Sequence, residues 1–298
     1  PTQENAFFFA MQEDYKKTGV YKRDPGRWNT GVELGTLAQN ILNNLDTQPK
    51  PGGFLKAFDP LTGETKWSVA IPHYWNGGVL ATAGGLVFQG DALGIFSAYD
   101  KDTGERLWEF NTYTSMLAPP IAYEIDGVQY VSILTGSGGG DLFGGEPLPP
   151  IEVQASLTYN NFGRLLVFKI GGDKVLPIPN VRDTTIPEQR LVDASLKQIQ
   201  NGESNYNDYC AVCHGFLVKS AGGIPDLRKM SAGTHDAFNQ IVLEGLLAGN
   251  GMASFADVLS KDEVENVHHY VRARAYEDRE VALGNKETPQ FTWFGVEE

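Results

Sequence analysis

Cysteine is nearly absent from this chain: there are two in 298 residues, Cys210 and Cys213, three positions apart. That excludes a disulfide framework and turns both residues towards cofactor chemistry. Long apolar runs are lacking too. None reaches the roughly 18 residues that a membrane span needs, so no transmembrane segment is expected. Basic residues are outnumbered, 24 Lys and Arg against 37 Asp and Glu, which leaves a formal charge of −13. Nucleic acid is thereby excluded as a natural partner, because phosphates are held by Lys/Arg patches. An acidic surface suits basic soluble partners instead. The opening Pro1-Thr2-Gln3-Glu4 has no Met, no basic stretch and no signal-type apolar core, so the chain is expected to start after signal removal or a cut. What is present is apolar content: 41% of residues are hydrophobic, enough for a sizeable core.

Residues 1–171 read as all-β. Short runs of branched or alternating apolar residues, such as Gly85–Gln89, Tyr130–Leu134 and Arg164–Phe168, lie between Gly, Asp, Asn and Pro turns. Only Leu34–Leu45 hints at a helix there. An internal repeat is visible: Leu55–Trp67 matches Phe96–Trp108 at an offset of 41 residues, each with an Asp-x-x-Thr-Gly-Glu core and a closing Trp. The unit is strand, turn, strand. Gly supplies the positive φ, Asp and Thr bond the turn backbone, and each Trp is placed to pack between sheets. One four-stranded blade per 40–50 residues or so is the pattern of a β-propeller. About 171 residues make three or four blades on that count, too few to close a ring, so a companion chain or further propeller is expected.

Residues 172–186 read as an extended linker with Pro177 and Pro179. Beyond it, 187–298 turn helical. The expected helices are Ser195–Tyr209, Thr234–Leu247 with Thr234 as N-cap, and Ser260–Tyr276 with a Ser260-x-x-Glu263 capping box. Gly202 and Tyr270 are expected to meet where the first and last of these cross.

Cys210-Ala211-Val212-Cys213-His214 is the attachment signature of a c-type haem. On one helical turn both thiols reach the porphyrin vinyl groups, and the adjacent His reaches the iron from the same side. A zinc site would need two more ligands at suitable spacing, and no other Cys exists. The second axial ligand is expected from Met252, within a Gly-rich bend, with Met230 as rival and His235, His268 and His269 as weaker choices. The carbonyl of Pro225 is expected to accept the His214 ring N–H and fix the imidazole.

Taken together, the tandem Ala-x-Asp-x-x-Thr-Gly-Glu-x-x-Trp units, the run Trp75-Asn76-Gly77-Gly78-Val79-Leu80-Ala81-Thr82-Ala83-Gly84-Gly85 and the C-terminal cytochrome motif resemble the quinohaemoprotein alcohol dehydrogenases. The resemblance implies an eight-bladed propeller holding pyrroloquinoline quinone (PQQ), followed by an all-α class I cytochrome c domain. It implies alcohol oxidation at PQQ, with electrons leaving through haem c to a soluble carrier or membrane oxidase, in the periplasm. It also implies that Trp75 and Asn76 face the quinone pocket. The catalytic base, the Ca²⁺ ligands and the ring that stacks on the quinone belong to blades not found here. Ser137, in Gly136-Ser137-Gly138-Gly139, departs from the family by replacing a Trp. The alternative is a non-catalytic propeller scaffold bearing an electron-transfer cytochrome and no quinone. Trp67, Trp108, Asp59 and Asp100 are read as structural, and His73 has no role assigned.

Overall fold

The computed structural model describes residues 2–4, 11–23, 29, 31–33, 52–71, 76–136, 154–188, 193–220 and 224–286. The helical expectation at Leu34–Leu45 lies outside them, as do Trp75, His73 and Ser137; the side chain of Asn76 also lies outside the described set.

Among the described residues, three antiparallel sheets make up the first part. In the first, β1 (Thr2–Glu4), β2 (Gly52–Phe58) and β3 (Thr65–Ile71) are ordered β1-β2-β3, and a short helix α1 (Glu13–Thr18) falls between β1 and β2. The second is a four-stranded meander, β4 (Asn76–Ala81), β5 (Leu86–Asp91), β6 (Ile95–Asp100) and β7 (Arg106–Asn111). The third pairs β8 (Ile121–Ile125) with β9 (Val128–Thr135), and β9 with β10 (Arg164–Lys169).

The 41-residue sequence repeat becomes two matching hairpins. Ala57 pairs with Trp67 and Ala98 with Trp108, and each hairpin has a register shift one residue later. Asp59 Oδ1 accepts the backbone N–H of Leu61 and Thr62 at 2.9 and 3.3 Å. Asp100 Oδ1 does the same for Asp102 and Thr103, at 2.9 and 2.8 Å. These bonds favour the ionised carboxylates and lower both pKa values, as turn residues rather than bases. Gly63 and Gly104 turn the chain at φ +73° and +74°.

Each Trp reaches the following sheet. Trp67 donates Nε1–H to Lys101 O at 2.9 Å. A Cβ on Gly104 would lie 2.7 Å from the Trp67 ring, so the glycine is also the seat of that indole. Trp108 meets Phe168 of β10 edge-to-face at 5.4 Å and Phe96 at 5.9 Å. Apolar clusters fill the gaps: Leu55, Ile71 and Tyr99 between the first two sheets, and Phe96, Met116, Val131 and Ile133 between the second and third. A single turn, α2 (Ala155–Thr158), closes onto the second sheet. There Ala155 N–H donates to Ala92 O at 2.9 Å, and Ser156 and Ser115 exchange backbone-to-hydroxyl bonds at 3.1 and 3.2 Å, all buried.

From Ile170 to Ser195 the described residues form no helix or strand. The helical part follows: α3 (Leu196–Tyr209), α4 (Ala211–His214), α5 (Ala232–Asp236), α6 (Phe238–Val242) and α7 (Lys261–Ala282). Capping boxes start both long helices, Ser195 with Gln198 and Ser260 with Glu263. The helix expected over Thr234–Leu247 is two short ones, and its cap is Ser231. The Ser231 hydroxyl accepts Thr234 N–H at 3.2 Å, which makes Thr234 the third helical residue rather than the cap. The chain breaks at Ala237, and Gly245, at φ +70°, ends the segment before Leu247. The last helix runs beyond the expected Tyr276 to Ala282. Helices α3 and α7 cross at Gly202, where a Cβ would sit 1.9 Å from Asn266 O and 3.0 Å from Tyr270 Cβ. Their rings pack one turn on, Tyr206 against Tyr270 at 5.4 Å. Buried Val264, Val267 and Val271 complete that core.

Candidate haem and quinone sites

Helix α3 delivers Cys210 at its C-terminus, and α4 carries Cys213 and His214 on the next turn. Cys210 is buried and Cys213 exposed. Burial pushes the Cys210 thiol up to about 12, so it is held neutral. His214 is 7% exposed. Its Nδ1 lies 3.0 Å from Pro225 O. A carbonyl only accepts, so the proton is on Nδ1 and the Nε2 lone pair is free to bind a metal. Desolvation lowers the His214 pKa against the opposing pull of the Pro225 bond, which favours the neutral, ligating imidazole. Two thiols one turn apart with a neutral, oriented imidazole fit a c-type haem.

The loop beyond His214 is tightly built. Gly215 takes φ +78°, and a Cβ there would lie 2.0 Å from Lys219 O. Fully buried Tyr206 donates its hydroxyl to Gly215 O at 2.8 Å. Ser220 donates to Ile224 O, next to Pro225. Asp226 accepts Arg228 N–H at 3.1 Å and pairs with the Arg228 guanidinium at 2.7 Å, and Arg228 reaches Asp278 of α7 at 2.8 Å. Asp278 is also held by Arg274 at 2.7 Å. This largely shielded chain of charges ties the Pro225 segment to α7. Sequence reasoning missed Tyr206 and the Asp226–Arg228–Asp278 chain. The one local signal was the Asp-Leu-Arg that follows Pro225.

Met252 is partly buried and packs against the cytochrome core, whereas Met230 is a member of that core at 9% exposure. The three histidines are engaged elsewhere. His235 Nδ1 and His268 Nε2 lie 2.9 Å apart, His268 stacks on Phe238 at 4.4 Å, and His269 lies 3.7 Å from Glu265.

On the propeller side, Asn76 opens β4 opposite Asp91. The glycines that follow are required by packing: a Cβ on Gly77 would meet Gly90 O at 2.8 Å, and one on Gly78 would meet Pro119 Cβ at 2.7 Å. Buried Gln89 donates to Gly77 O at 3.2 Å and holds the start of β4 in place. Among the described residues no group of three or more His, Cys, Asp or Glu side chains is arranged to hold a metal ion. No helix among them is long and apolar enough to cross a membrane.

Trp-docked antiparallel sheets run here into a helical part whose two thiols and oriented imidazole suit a c-type haem. Residues 69–131 match the glucose/ethanol/alcohol dehydrogenase β-propeller domain, and residues 197–271 match cytochrome c oxidase, cbb3-type, subunit III. Quinohaemoprotein alcohol dehydrogenase ADH IIB of Pseudomonas putida is 44% identical over 230 residues, covering 76% of this chain and 32% of the relative. ADH-IIG of the same organism is 34% identical, covering 86% of this chain and 35% of the relative. The solved structure of ADHIIG from P. putida HK5 superposes with a TM-score of 0.71 at 30% identity, over 92% of this chain and 38% of that one. The quinohaemoprotein alcohol dehydrogenase structure from Comamonas testosteroni gives a TM-score of 0.61 at 33% identity, over 76% and 32%. The homologues of this chain are quinohaemoprotein alcohol dehydrogenases, similar to it over most of its own length. The chain spans about a third of the length of the curated relatives it matches.

Proposed function

We propose that this chain forms part of a periplasmic PQQ-dependent alcohol dehydrogenase, in which an alcohol is oxidised at the quinone and electrons leave through haem c to an external acceptor. The division proposed is 1–171 as propeller blades, 172–186 as linker and 187–298 as the cytochrome domain. The observation that carries the reading is the buried His214, its Nδ1–H given to Pro225 O and its Nε2 left free, one residue from a pair of thiols and downstream of propeller sheets.

When bound, PQQ accepts the two electrons of the alcohol and haem c relays them singly. The work of this chain is to bind and orient. Cys210 and Cys213 would anchor the porphyrin, His214 and Met252 would bind its iron, and Pro225, accepting Nδ1–H, would orient the imidazole. A thioether ligand raises the reduction potential relative to a second His, which suits an acceptor. Asn76 is proposed to hydrogen-bond the quinone and Trp75 to wall its pocket. The base, the Ca²⁺ ligands and the stacking ring are proposed to come from the rest of the propeller, in the same or a companion chain. The substrate is an alcohol, and the acceptor a soluble carrier or membrane oxidase.

The test is stopped-flow absorbance of the ferrous α-band in holoprotein containing the remaining propeller, PQQ and Ca²⁺, after addition of a primary alcohol. Haem reduction should depend on PQQ, and Asn76→Ala should slow it while leaving the haem spectrum intact. Reduction that is equally fast without PQQ refutes the quinoprotein reading and favours the electron-carrier scaffold.

A further inference from the structure

We propose that Arg182 is the positioning residue that fixes the haem-carrying loop to the propeller, so that its guanidinium governs electron delivery to the haem. The proposal rests on the quinohaemoprotein reading above. Its basis is that one residue in the connecting segment grips both sides. Its backbone N–H donates to Thr158 O at 2.9 Å. Thr158 ends α2, and that turn is locked to the second propeller sheet through Ala92, Ser115 and Ser156. The other end of Arg182 enters the cytochrome. Its Nη2 donates to Ser220 O at 3.0 Å and lies 3.9 Å from Asp226 Oδ2.

Both contacts fall on the loop that serves the axial histidine. Ser220 bonds Ile224 O, Asp226 follows Pro225, and Pro225 O holds His214 Nδ1. The Arg182 side chain is 14% exposed and that of Asp226 4%, so the pair is shielded far more than a surface ion pair. Lys229 Nζ adds a neighbouring tie by donating to Asp183 O. The other described residues of the segment form no helix or strand to stiffen it, and Val175, Ile178 and Val181 are exposed. A planar fork that bonds a carbonyl while facing a carboxylate is a role that Arg fills and Lys fills only in part.

The experiment compares Arg182→Ala and Arg182→Lys in the complete holoprotein. Three quantities are read: the rate of alcohol-driven haem reduction, the haem midpoint potential, and the rate of thermolysin cleavage between residues 170 and 195. Arg182→Ala should slow haem reduction by about tenfold or more, speed the cleavage and leave the potential unchanged. Arg182→Lys should fall between the two, and it carries the comparison if the Ala variant fails to mature with haem. Parental reduction and cleavage rates in Arg182→Ala overturn the proposal. So does slowed reduction with a shifted potential and unchanged cleavage, which would mean that the residue tunes the iron through Asp226 instead of docking the domains. If the parent itself shows no alcohol-driven reduction, the quinoprotein reading fails, and the cleavage rates still decide whether Arg182 joins the two parts.

Discussion

Replacing Gly202 by Ala sets two effects of opposite sign against each other. In an exposed helix interior the change stabilises, because Ala exceeds Gly in helix propensity by about 1 kcal/mol. At Gly202 the added Cβ would lie 1.9 Å from Asn266 O, 2.5 Å from Asn266 C and 3.0 Å from Tyr270 Cβ. Two of those three neighbours are backbone, so no side chain can swing aside. A carbon packs on a carbonyl oxygen at about 3.3 Å or more, so α3 and α7 must part locally by roughly 1.4 Å. A gap of that order forfeits a large fraction of the dispersion energy around Tyr206, Val267 and Tyr270, each at most 1% exposed. The steric term is therefore at or above the upper end of the 1–3 kcal/mol typical of overpacking, and it outweighs propensity. For the helical domain, 187–298, about 3 kcal/mol lowers Tm by roughly 13 °C. The assay is thermal unfolding of the holoprotein followed at 222 nm and in the Soret band. Gly233→Ala is the control: it sits in α5 with only Ser231 Oγ within 4 Å, at 3.9 Å, so it should hold or raise Tm. An unchanged or raised Tm in Gly202→Ala would refute the crossing geometry.

Met252→Ala should abolish the weak ferric absorption near ~700 nm expected of iron–thioether ligation and lower the midpoint potential. Met230→Ala should keep both and instead lose about 2–5 kcal/mol of stability as a core truncation; the reverse pattern would move the axial role to Met230. Glu203 supplies a pH test: desolvation, opposed by Arg274, raises its pKa from 4.5 to about 7. The native state therefore binds more protons than the unfolded one between those values, so stability should fall as pH rises from about 4.5 to 7, with the penalty complete above that. Glu203→Gln should flatten this slope and stabilise by about 2 kcal/mol at pH 8, after allowance for partial solvent exposure; denaturant titrations at pH 5 and pH 8 measure it, and a slope equal to that of the parent would contradict it.

The readable features were those whose partners lie close in sequence. Cys210, Cys213 and His214 share two turns, the Ser260–Glu263 capping box joins positions three apart, and the Asp-x-x-Thr-Gly turn bonds itself; the Ser195–Gln198 box went unread. The Pro225 carbonyl was reachable as well, since it lies 11 residues from His214 and sits in a loop. Helix ends were harder. Ser231 and Thr234 are both good caps, and only the observed bond from Thr234 N–H to the Ser231 hydroxyl chooses between them. The last helix outran its apolar periodicity because Glu277 and Asp278 hold it through ion pairs with Arg274 and Arg228 instead of through buried hydrocarbon. Arg182 was invisible in the sequence: its partners are 24, 38 and 44 positions away, and no local pattern marks a linker arginine as shared. Trp75 and Asn76 rest on resemblance and await the quinone itself.

The seating of Trp67 on Gly104 makes two identical motif positions unequal under substitution. Gly63 and Gly104 occupy the same place in the repeat and share one backbone conformation, but nothing lies within 4 Å of a Cβ at Gly63, whereas at Gly104 the indole is already there. Asn, which tolerates left-handed backbone, could drift into the first turn at little cost; in the second it would evict the ring and its bond to Lys101. Copies of a duplicated unit thus stop being interchangeable once one rests on the other, and a consensus drawn across the repeats would average away the position that joins them.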